Sequence, residues 1–531
     1  MLNIDTPALH FYMDLAGVFM YNSIHAYGTE VNEMDEKDKR IKELEQQVAE
    51  LNERIAFLTS KLFGKKTEKT RRLQEDDRQL DLFDLEEEQS EKTEDSKEAS
   101  VKSYTKKIRK KNRKIDTSKI PVEIVNHVMP DEKCSCPKCC ARLVQVANPK
   151  IREEVKFVPA KLRLIEHHQA VYKCPECSSD DHSKISKAPM PRSLISHSKT
   201  GSPSIIAHIA AMKYVYKVPC YRQEAMWKLR GLPLTRQQMS KWMIDVFNNQ
   251  LSPLYDLLLK ELKRQRFLHV DETPYNTLAS EKANTYYWVV TSGKFEEKNI
   301  AAFTHSDGRS SDTAKKLLSD FNGYVQTDGY AGYNFLDRTR HLGCLAHVRR
   351  YFVDSLKNSS YKASKSFSGE IVKDIDEVFE LERKLSTKFN DDERLNYRRR
   401  KLLPVVKRVF SKIASVTASA KSALGRAKNY ALGQEKHILN IFEKGYFELS
   451  NNSAERAVKE SVMGRKNWLF SSTFEGARAN AVALSLIYTA KLNQLDPEKY
   501  LRKVLTEITN IEVFDPERFR QLLPWNIDLT S

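Results

Sequence analysis

The stretch Phe267-Leu-His-Val-Asp-Glu-Thr-Pro-Tyr275 decides the fold of this chain. Its aromatic and β-branched residues predict a buried strand. The pair Thr273-Pro274 predicts that this strand ends soon after Asp271, because proline cannot donate a hydrogen bond to a strand ladder. A carboxylate buried at a strand end must be paired, protonated or metal-bound. Asp271 is therefore the first candidate for a functional residue.

Two more acids complete a candidate site. Asp328 ends the apolar run that begins at Gly323, and Glu455 lies in a predicted first helical turn, Asn451-Asn-Ser-Ala-Glu-Arg-Ala-Val-Lys459. Taken singly, each acid is better explained as a capping residue or as half of a surface ion pair. Together, converging carboxylates need cations, and oxygen ligands favour Mg²⁺ or Mn²⁺. Two such ions, roughly 3.5–4 Å apart, activate an attacking hydroxyl and stabilise the leaving oxygen of a phosphodiester.

Five motifs resemble the motif series of the insertion-sequence-66 transposases, and they occur in the same order as in that family. The motifs are Asp271-Glu-Thr-Pro, Asp328-Gly-Tyr-Ala-Gly-Tyr333, Gly343-Cys-Leu-Ala-His-Val-Arg-Arg350, Asn451-Asn-x-x-Glu-Arg456 and Gly464-Arg-Lys-Asn-Trp-Leu-Phe470. These transposases are DDE recombinases with a ribonuclease-H-like core. The resemblance implies that Asp271, Asp328 and Glu455 form a catalytic triad that binds two Mg²⁺ (or Mn²⁺) ions.

The chain departs from this family near the third acid. The family pattern favours Asp-Asn-Asn before the glutamate and an arginine four residues after it, whereas this chain has Ser450-Asn-Asn and Lys459. Lysine keeps the charge and loses the planar fork that grips phosphate. Arg456 and Lys459 would still bring positive charge to the scissile phosphate. His347 and Arg350 are expected to face phosphate near the metals, although Cys344 with His347 could instead begin a zinc site.

The composition limits the class of protein. A chain of 531 residues should form several domains, and its net charge of +17 suits a polyanionic partner without identifying it. Eight cysteines without a signal peptide indicate a reducing compartment, with metal ligands or thiols rather than disulfides. The apolar run from Leu15 to Tyr21 is too short to span a bilayer. We expect a soluble, cytoplasmic protein that does not associate with membranes.

A heptad pattern precedes the core. Its apolar residues alternate at spacings of three and four, which predicts a coiled coil and hence a homodimer or higher oligomer; the alternative is an amphipathic helix packed on its own domain. These residues are Ile41, Leu44, Val48, Leu51, Ile55, Leu58 and Leu62. Further along, Lys110, Lys111 and Arg113 lie in a run of seven basic residues in nine, which is either a phosphate-contacting arm or a plain linker.

Two C-x-x-C pairs predict a zinc site. Cys136 and Cys139 form the first pair, Cys174 and Cys177 the second, and four thiolates are typical of tetrahedral, structural Zn²⁺. Reduced buried cysteines are the alternative. After this module, a helical stretch ending near Leu262 is either a helix-turn-helix that contacts DNA or a helical brace for the core.

The resulting fold class is α/β: a ribonuclease-H-like core with a helical insertion, preceded by a coiled coil, a zinc-ribbon-like module and a helical domain. The predicted segments are 1–33, an unassigned extension; 34–66, the coiled coil; 67–118, a charged linker; 119–190, the zinc module; 191–263, the helical domain; 264–350, the first part of the core; 351–445, the insertion; 446–480, the end of the core; and 481–531, C-terminal helices.

The predicted function is that of a DNA transposase of an insertion sequence. It would bind the terminal inverted repeats and target DNA, cut the strand and join it, with accessory proteins of the same element as further partners implied by the resemblance. Two alternatives remain open: a catalytically inactive DNA-binding regulator, and a metal-dependent nuclease without joining activity.

Overall fold

The computed structural model describes residues 161–173, 185–195, 200–356, 366–385, 389–511 and 515–529, with four single residues before them. The chain divides into two compact units, residues 89–170 and the remainder. In the smaller unit, the described residues 161–170 form no helix or strand. The predicted coiled coil, the basic run with Lys110, Lys111 and Arg113, and the cysteines 136, 139, 174 and 177 lie outside the described residues.

The larger unit combines short strands with many helices. The strands are β1 (Val171–Lys173), β2 (Ile185–Lys187), β3 (Phe267–Tyr275), β4 (Thr285–Ser292), β5 (Ala301–Ser306), β6 (Tyr324–Gln326) and β7 (His341–Leu342). The α-helices are α1 (Pro203–Tyr214), α2 (Cys220–Leu229), α3 (Arg236–Asp245), α4 (Ser252–Leu262), α5 (Ser311–Leu317), α6 (Leu345–Leu356), α7 (Phe367–Arg383), α8 (Asp391–Tyr397), α9 (Leu403–Ser415), α10 (Ala423–Leu439), α11 (Asn452–Trp468), α12 (Phe474–Leu492), α13 (Pro497–Thr509) and α14 (Pro516–Gln521). None of these helices is long and apolar enough to cross a membrane.

A five-stranded sheet lies at the centre of this unit, in the order β5-β4-β3-β6-β7. Strands β3, β4 and β5 pair antiparallel, whereas β6 runs parallel to both β3 and β7. Along the chain, the core runs through β3, β4 and β5, then helix α5, then β6. The fold is a mixed helix and sheet structure, as predicted.

The central strand is longer than the sequence predicts. We expected Thr273-Pro274 to end it soon after Asp271, but β3 continues to Tyr275 and Pro274 pairs with Tyr286 of β4. The reason is that β6 pairs only with residues 267–269 of β3. Beyond that point β3 has a single paired neighbour, and a proline is tolerated where one side of a strand needs no ladder.

The edge strand β5 is covered by helix α12 through side-chain hydroxyls. The backbone N–H of Phe303 donates to Ser485 Oγ at 2.8 Å, and that of Ala301 donates to Thr489 Oγ1 at 3.1 Å. Thr489 in turn donates to the carbonyl of Ala301 at 3.0 Å. Because an open strand edge invites pairing with other chains, these bonds both close the sheet and fix α12 against it.

Helices α6 to α10 pack around a second hydrophobic core beside the sheet. Within the basic run from Tyr397 to Lys401, Arg398 is fully buried. Its guanidinium donates to the carbonyls of Gly445 at 3.1 Å and Phe447 at 2.7 Å, and it forms an ion pair with Glu382. Arg398 therefore joins the helices to the segment that leads into α11, and it is not available to DNA.

Replacing Arg398 with methionine should destabilise this unit by roughly 3–5 kcal/mol, because the partly buried Glu382 and the buried carbonyls of Gly445 and Phe447 would all lose the partner they share. Unfolding of the purified protein in urea measures the change in the free energy of unfolding. The matched control is Arg400→Met on the exposed side of the same run, which should change stability by less than about 0.5 kcal/mol. Equal stability of the two variants would contradict this account of the second core.

Candidate active site

Asp271 and Asp328 lie beside one another because β3 and β6 are parallel neighbours. In their register His269 pairs with Gln326, and each aspartate follows two residues later. Asp271 Oδ1 accepts the backbone N–H of Glu272 at 2.8 Å, and Asp328 Oδ1 accepts that of Tyr330 at 2.9 Å. Each aspartate thus has one oxygen fixed by the backbone.

Glu455 reaches the same region from the first turn of α11, and Asn451 holds it there. The side chain of Asn451 donates to the carbonyl of Val270 in β3 at 3.0 Å, and its backbone N–H donates to Cys344 Sγ at 3.2 Å. Its carbonyl accepts the N–H of Glu455 at 3.1 Å. Asn451 therefore joins β3, the start of α6 and the start of α11. From the sequence alone, Asn451 would be taken for a helix cap, because it lies in a motif at the start of a predicted helix.

Asp271 and Glu455 are buried, Asp328 is partly buried, and the charges of the other two acids act on Asp271. Asp271 is 7% exposed and Glu455 is 1% exposed. Burial raises the pKa of Asp271 well above its ordinary value, and the charges of Glu272, Glu455 and Asp328 raise it further. Asp271 Oδ2 and Glu455 Oε1 are buried and have no hydrogen-bond partner among the described residues. Buried carboxylate oxygens without donors fit the needs of a hard divalent cation.

His347 and Arg350 lie on α6 and contact the glutamate. Arg350 Nη2 donates to Glu455 Oε2 at 3.0 Å, and His347 Nδ1 lies 3.4 Å from Glu455 Oε1 without hydrogen-bond geometry. Burial lowers the pKa of His347, but the sulfur of Cys344 and the carboxylate of Glu455 outweigh it and raise this pKa to about 9. In this structure both basic groups orient Glu455. Their contact with phosphate stays a prediction.

A second arrangement of ligands surrounds Glu455. One ligand atom each of Cys344, His347 and Glu455 lies within 4.8 Å of the other two, and in the described part of the chain this is the one such group of three histidine, cysteine or acidic residues. The sequence indicated Cys344 and His347 as a possible start of a zinc site and gave no third ligand. The predicted acids Asp271, Asp328 and Glu455 do not form such a group in the described part of the chain.

Glu272 is a fourth acid at the site, and sequence reasoning missed its role. Its carboxylate accepts from Arg309 Nε at 2.6 Å and from the hydroxyl of Tyr333. Burial and the charge of Asp328 raise the pKa of Glu272, whereas Arg309 and Tyr333 lower it. Arg309 also stacks on Tyr330, with 3.7 Å between its Cζ atom and the ring centroid. The position of Glu272 next to Asp271 in the motif was the available signal for this role, but its partners Arg309 and Tyr333 are distant in sequence.

Arg456 and Lys459 follow Glu455 on α11, and Lys459, four residues further on, lies on the same side of the helix as Glu455. Arg456 is exposed and donates to Ser453 Oγ at 3.4 Å, and Lys459 is partly exposed. Their positive charges therefore face solvent next to the buried site, which is compatible with the predicted contact to phosphate and does not test it.

Comparison with known proteins identifies the class. The chain matches the sequence model of the Transposase IS66 family over residues 199–479, more than half of its length, and it belongs to this family. It also matches the IS66 C-terminal element over residues 485–525 and the zinc-finger binding domain of transposase IS66 over residues 133–178. A match to the transposase C of IS166 homeodomain covers residues 50–125. The family predicted from the motifs is thereby confirmed, with its zinc-finger and DNA-binding modules.

Curated relatives come from Sinorhizobium fredii (strain NBRC 101917 / NGR234). The uncharacterized protein y4jD is 29% identical over 406 residues, which is 73% of this chain and 77% of the relative. The uncharacterized protein y4hP is 27% identical over 498 residues, 88% of this chain and 87% of the relative. The similarity therefore extends over most of each protein.

Replacing Asp271 with asparagine should stabilise the metal-free protein at pH 8 by roughly 1–3 kcal/mol, because the amide carries no charge that burial and the neighbouring acids would disfavour. A raised carboxyl pKa means that stability falls as the pH rises above the ordinary aspartate pKa of about 3.9, so the difference should shrink at pH 5. Thermal unfolding in a chelator measures it. Mg²⁺ should then stabilise the native protein more than the variant.

The control for this measurement is Asp312→Asn, which removes an exposed acid from α5 and should change neither the pH dependence nor the response to Mg²⁺. A variant Asp271→Asn that is less stable than the native chain in chelator at pH 8 would contradict the description of the acids as mutually repelling and buried.

Proposed function

We propose that this transposase cuts DNA at the ends of its element and joins the released strand to target DNA, and that Asp271, Asp328 and Glu455 catalyse both steps. The observation that carries the proposal is the burial of Asp271 amid the charges of the other two acids, with unpartnered oxygens on Asp271 and Glu455. A folded protein tolerates such repulsion where a cation is bound in the working state.

The three acids would hold two Mg²⁺ or Mn²⁺ ions. Asp271 lies close enough to Asp328 and Glu455 for both charges to act on it, so the three carboxylates could contribute ligands to one site. Bound there, divalent ions would supply Lewis-acid chemistry to the oxygens of a phosphodiester.

The protein's own residues prepare this site. Asn451 and Arg350 fix the position of Glu455, and the burial of the acids excludes bulk water, which strengthens electrostatic interactions. Arg456 and Lys459, on the solvent side of α11, would hold the phosphate backbone in register. Preorganised charges of this kind cost no rearrangement when the reaction occurs.

The reaction balances without an energy source. In the first step water breaks a P–O bond at the element's end and leaves a 3′-hydroxyl. In the second step that hydroxyl attacks a phosphodiester of the target, so that one P–O bond forms as another breaks and the target's own 3′-oxygen leaves. Neither step needs a covalent protein–DNA intermediate.

The architecture supports the same proposal. The sheet order, with three antiparallel strands followed by parallel ones, is consistent with a ribonuclease-H-like core. Helices α7 to α10 lie between the second and third acids, where the predicted insertion 351–445 falls. The other segment bounds predicted from the sequence, from the extension 1–33 to the C-terminal helices 481–531, are also part of what we propose.

The outer modules complete the proposed transposase. Cys136, Cys139, Cys174 and Cys177 fall within the zinc-finger match and would hold one structural Zn²⁺. The coiled coil would pair two copies of the chain and thereby two element ends, while Lys110, Lys111 and Arg113 contact phosphates. Accessory proteins of the same element are further proposed partners.

The test is a strand-transfer assay with the full chain, Mg²⁺, and DNA that carries the element's inverted repeats. Asp271→Asn, Asp328→Asn and Glu455→Gln should each lower cleavage and joining by roughly a hundredfold or more, because each removes a ligand from ions worth several kcal/mol to the transition state. Gel-shift binding of the same DNA should persist, and Asp312→Asn should behave like the native chain.

The outcomes separate the alternatives. Cleavage without any joined product would favour a metal-dependent nuclease. Normal biological function of the Asp271→Asn variant would favour a DNA-binding regulator. Joining that survives all three substitutions would refute the assignment of the triad.

A further inference from the structure

A row of exposed side chains runs along α11 on its solvent side. Arg456, Lys459, Met463 and Lys466 follow one another at intervals of three or four residues, which places them on one face of the helix. Arg456, Met463 and Lys466 are exposed and Lys459 is partly exposed. The row begins one residue after Glu455 and carries three positive charges. It leads toward the turn that follows the helix.

The backbone of that turn is strained. Leu469 has φ 66° and ψ −51°, and the N–H of Phe470 donates to the carbonyl of Trp468 at 2.8 Å. This is the rare form of the γ-turn, and a branched residue with positive φ costs free energy. The strain does not serve to bury an apolar side chain, because Leu469 is 63% exposed and Phe470 is 40% exposed.

Both sides of the turn are anchored. The ring of Trp468 folds back onto Gly464, where any Cβ would collide with it, and it packs edge to face on Tyr214 at 5.9 Å between centroids. On the other side, Ser471 N donates to the carbonyl of Asn276 at 3.0 Å, in the loop that follows β3. The fold therefore holds an apolar tip in water on a rigid base, which is typical of a functional contact.

We propose that Leu469 and Phe470 form a wedge that inserts between base pairs of the element's terminal DNA, while the basic row of α11 contacts its backbone. The proposal rests on the proposed function. Fourteen residues separate Glu455 from Leu469, about 21 Å along a helix or roughly six base pairs of DNA. Apolar side chains that enter a base step unstack it and bend the duplex.

The three positive charges beside the wedge favour DNA over a protein partner, because they match a phosphate backbone that passes along α11. Opening the duplex about six base pairs from the scissile phosphate would also help the end strand to reach buried acids. The wedge supplies a reason for the exposure of Leu469 and Phe470 at this strained turn, which the anchoring of Trp468 and Ser471 does not.

The experiment uses the full chain and inverted-repeat duplexes in which 2-aminopurine replaces one base at each position from four to eight base pairs from the cleavage point. Ca²⁺ replaces Mg²⁺ so that binding is read without cleavage. The native chain should raise the fluorescence at one or two adjacent positions. Leu469→Ala and Phe470→Ala should abolish this rise and weaken binding roughly tenfold, as loss of a stacking contact does.

Further variants separate a wedge from a structural turn. Leu469→Gly relieves the positive φ, so it should raise the melting temperature and still lose the fluorescence signal, whereas Leu469→Met should keep the signal. Met190→Ala, which truncates an exposed apolar side chain outside this turn, should match the native chain. A duplex with a mismatch at the signal position should restore binding to Leu469→Gly.

A native fluorescence signal in Leu469→Gly and in Phe470→Ala would overturn the wedge. So would unchanged DNA binding accompanied by loss of self-association in sedimentation, which would make the tip a contact between proteins. The wedge and the proposed catalysis are tested by separate measurements. Failure of the native chain to join DNA in Mg²⁺ would refute the catalytic proposal. The fluorescence measured in Ca²⁺ would still test the wedge.

Discussion

The rest of the structure depends on one unfavourable interaction, the burial of the Asp271 carboxylate among other acids. Its pKa is raised by burial first and then by the charges of Glu272, Glu455 and Asp328. A chain gains nothing in stability from this arrangement. The sheet, the helical insertion and α11 must therefore supply enough favourable packing to hold the acids together, and two separate hydrophobic cores do so.

The compensating contacts are local and specific. Asn451 bonds to β3 and to Cys344 while it holds the first turn of α11, and Arg350 neutralises one oxygen of Glu455. Arg309 and Tyr333 each donate a hydrogen bond to the carboxylate of Glu272. Asp271 and Glu455 each have one oxygen bonded and the other unpaired among the described residues. The unpaired ones are the groups through which a cation would be bound, so that stability and the proposed function share the same atoms.

Much of the core could be predicted because its signals are local. The apolar runs around Asp271 and Asp328 gave the strands, and the register of β3 and β6 then requires these acids to be neighbours. Other features depend on contacts between distant residues, which a single sequence does not contain. The burial of Arg398 inside a basic run is one example, and the extension of β3 through Pro274 is another, since it depends on how far β6 pairs.

The most direct test of the central claim is Mn²⁺ binding followed by electron paramagnetic resonance, with the full chain in its zinc-loaded form. We expect two Mn²⁺ ions per chain with the signal of a magnetically coupled pair, and loss of the coupled signal in Glu455→Gln. Mn²⁺ that binds singly and without coupling, with the same affinity in Glu455→Gln as in the native chain, would contradict the claim that these acids share a pair of cations.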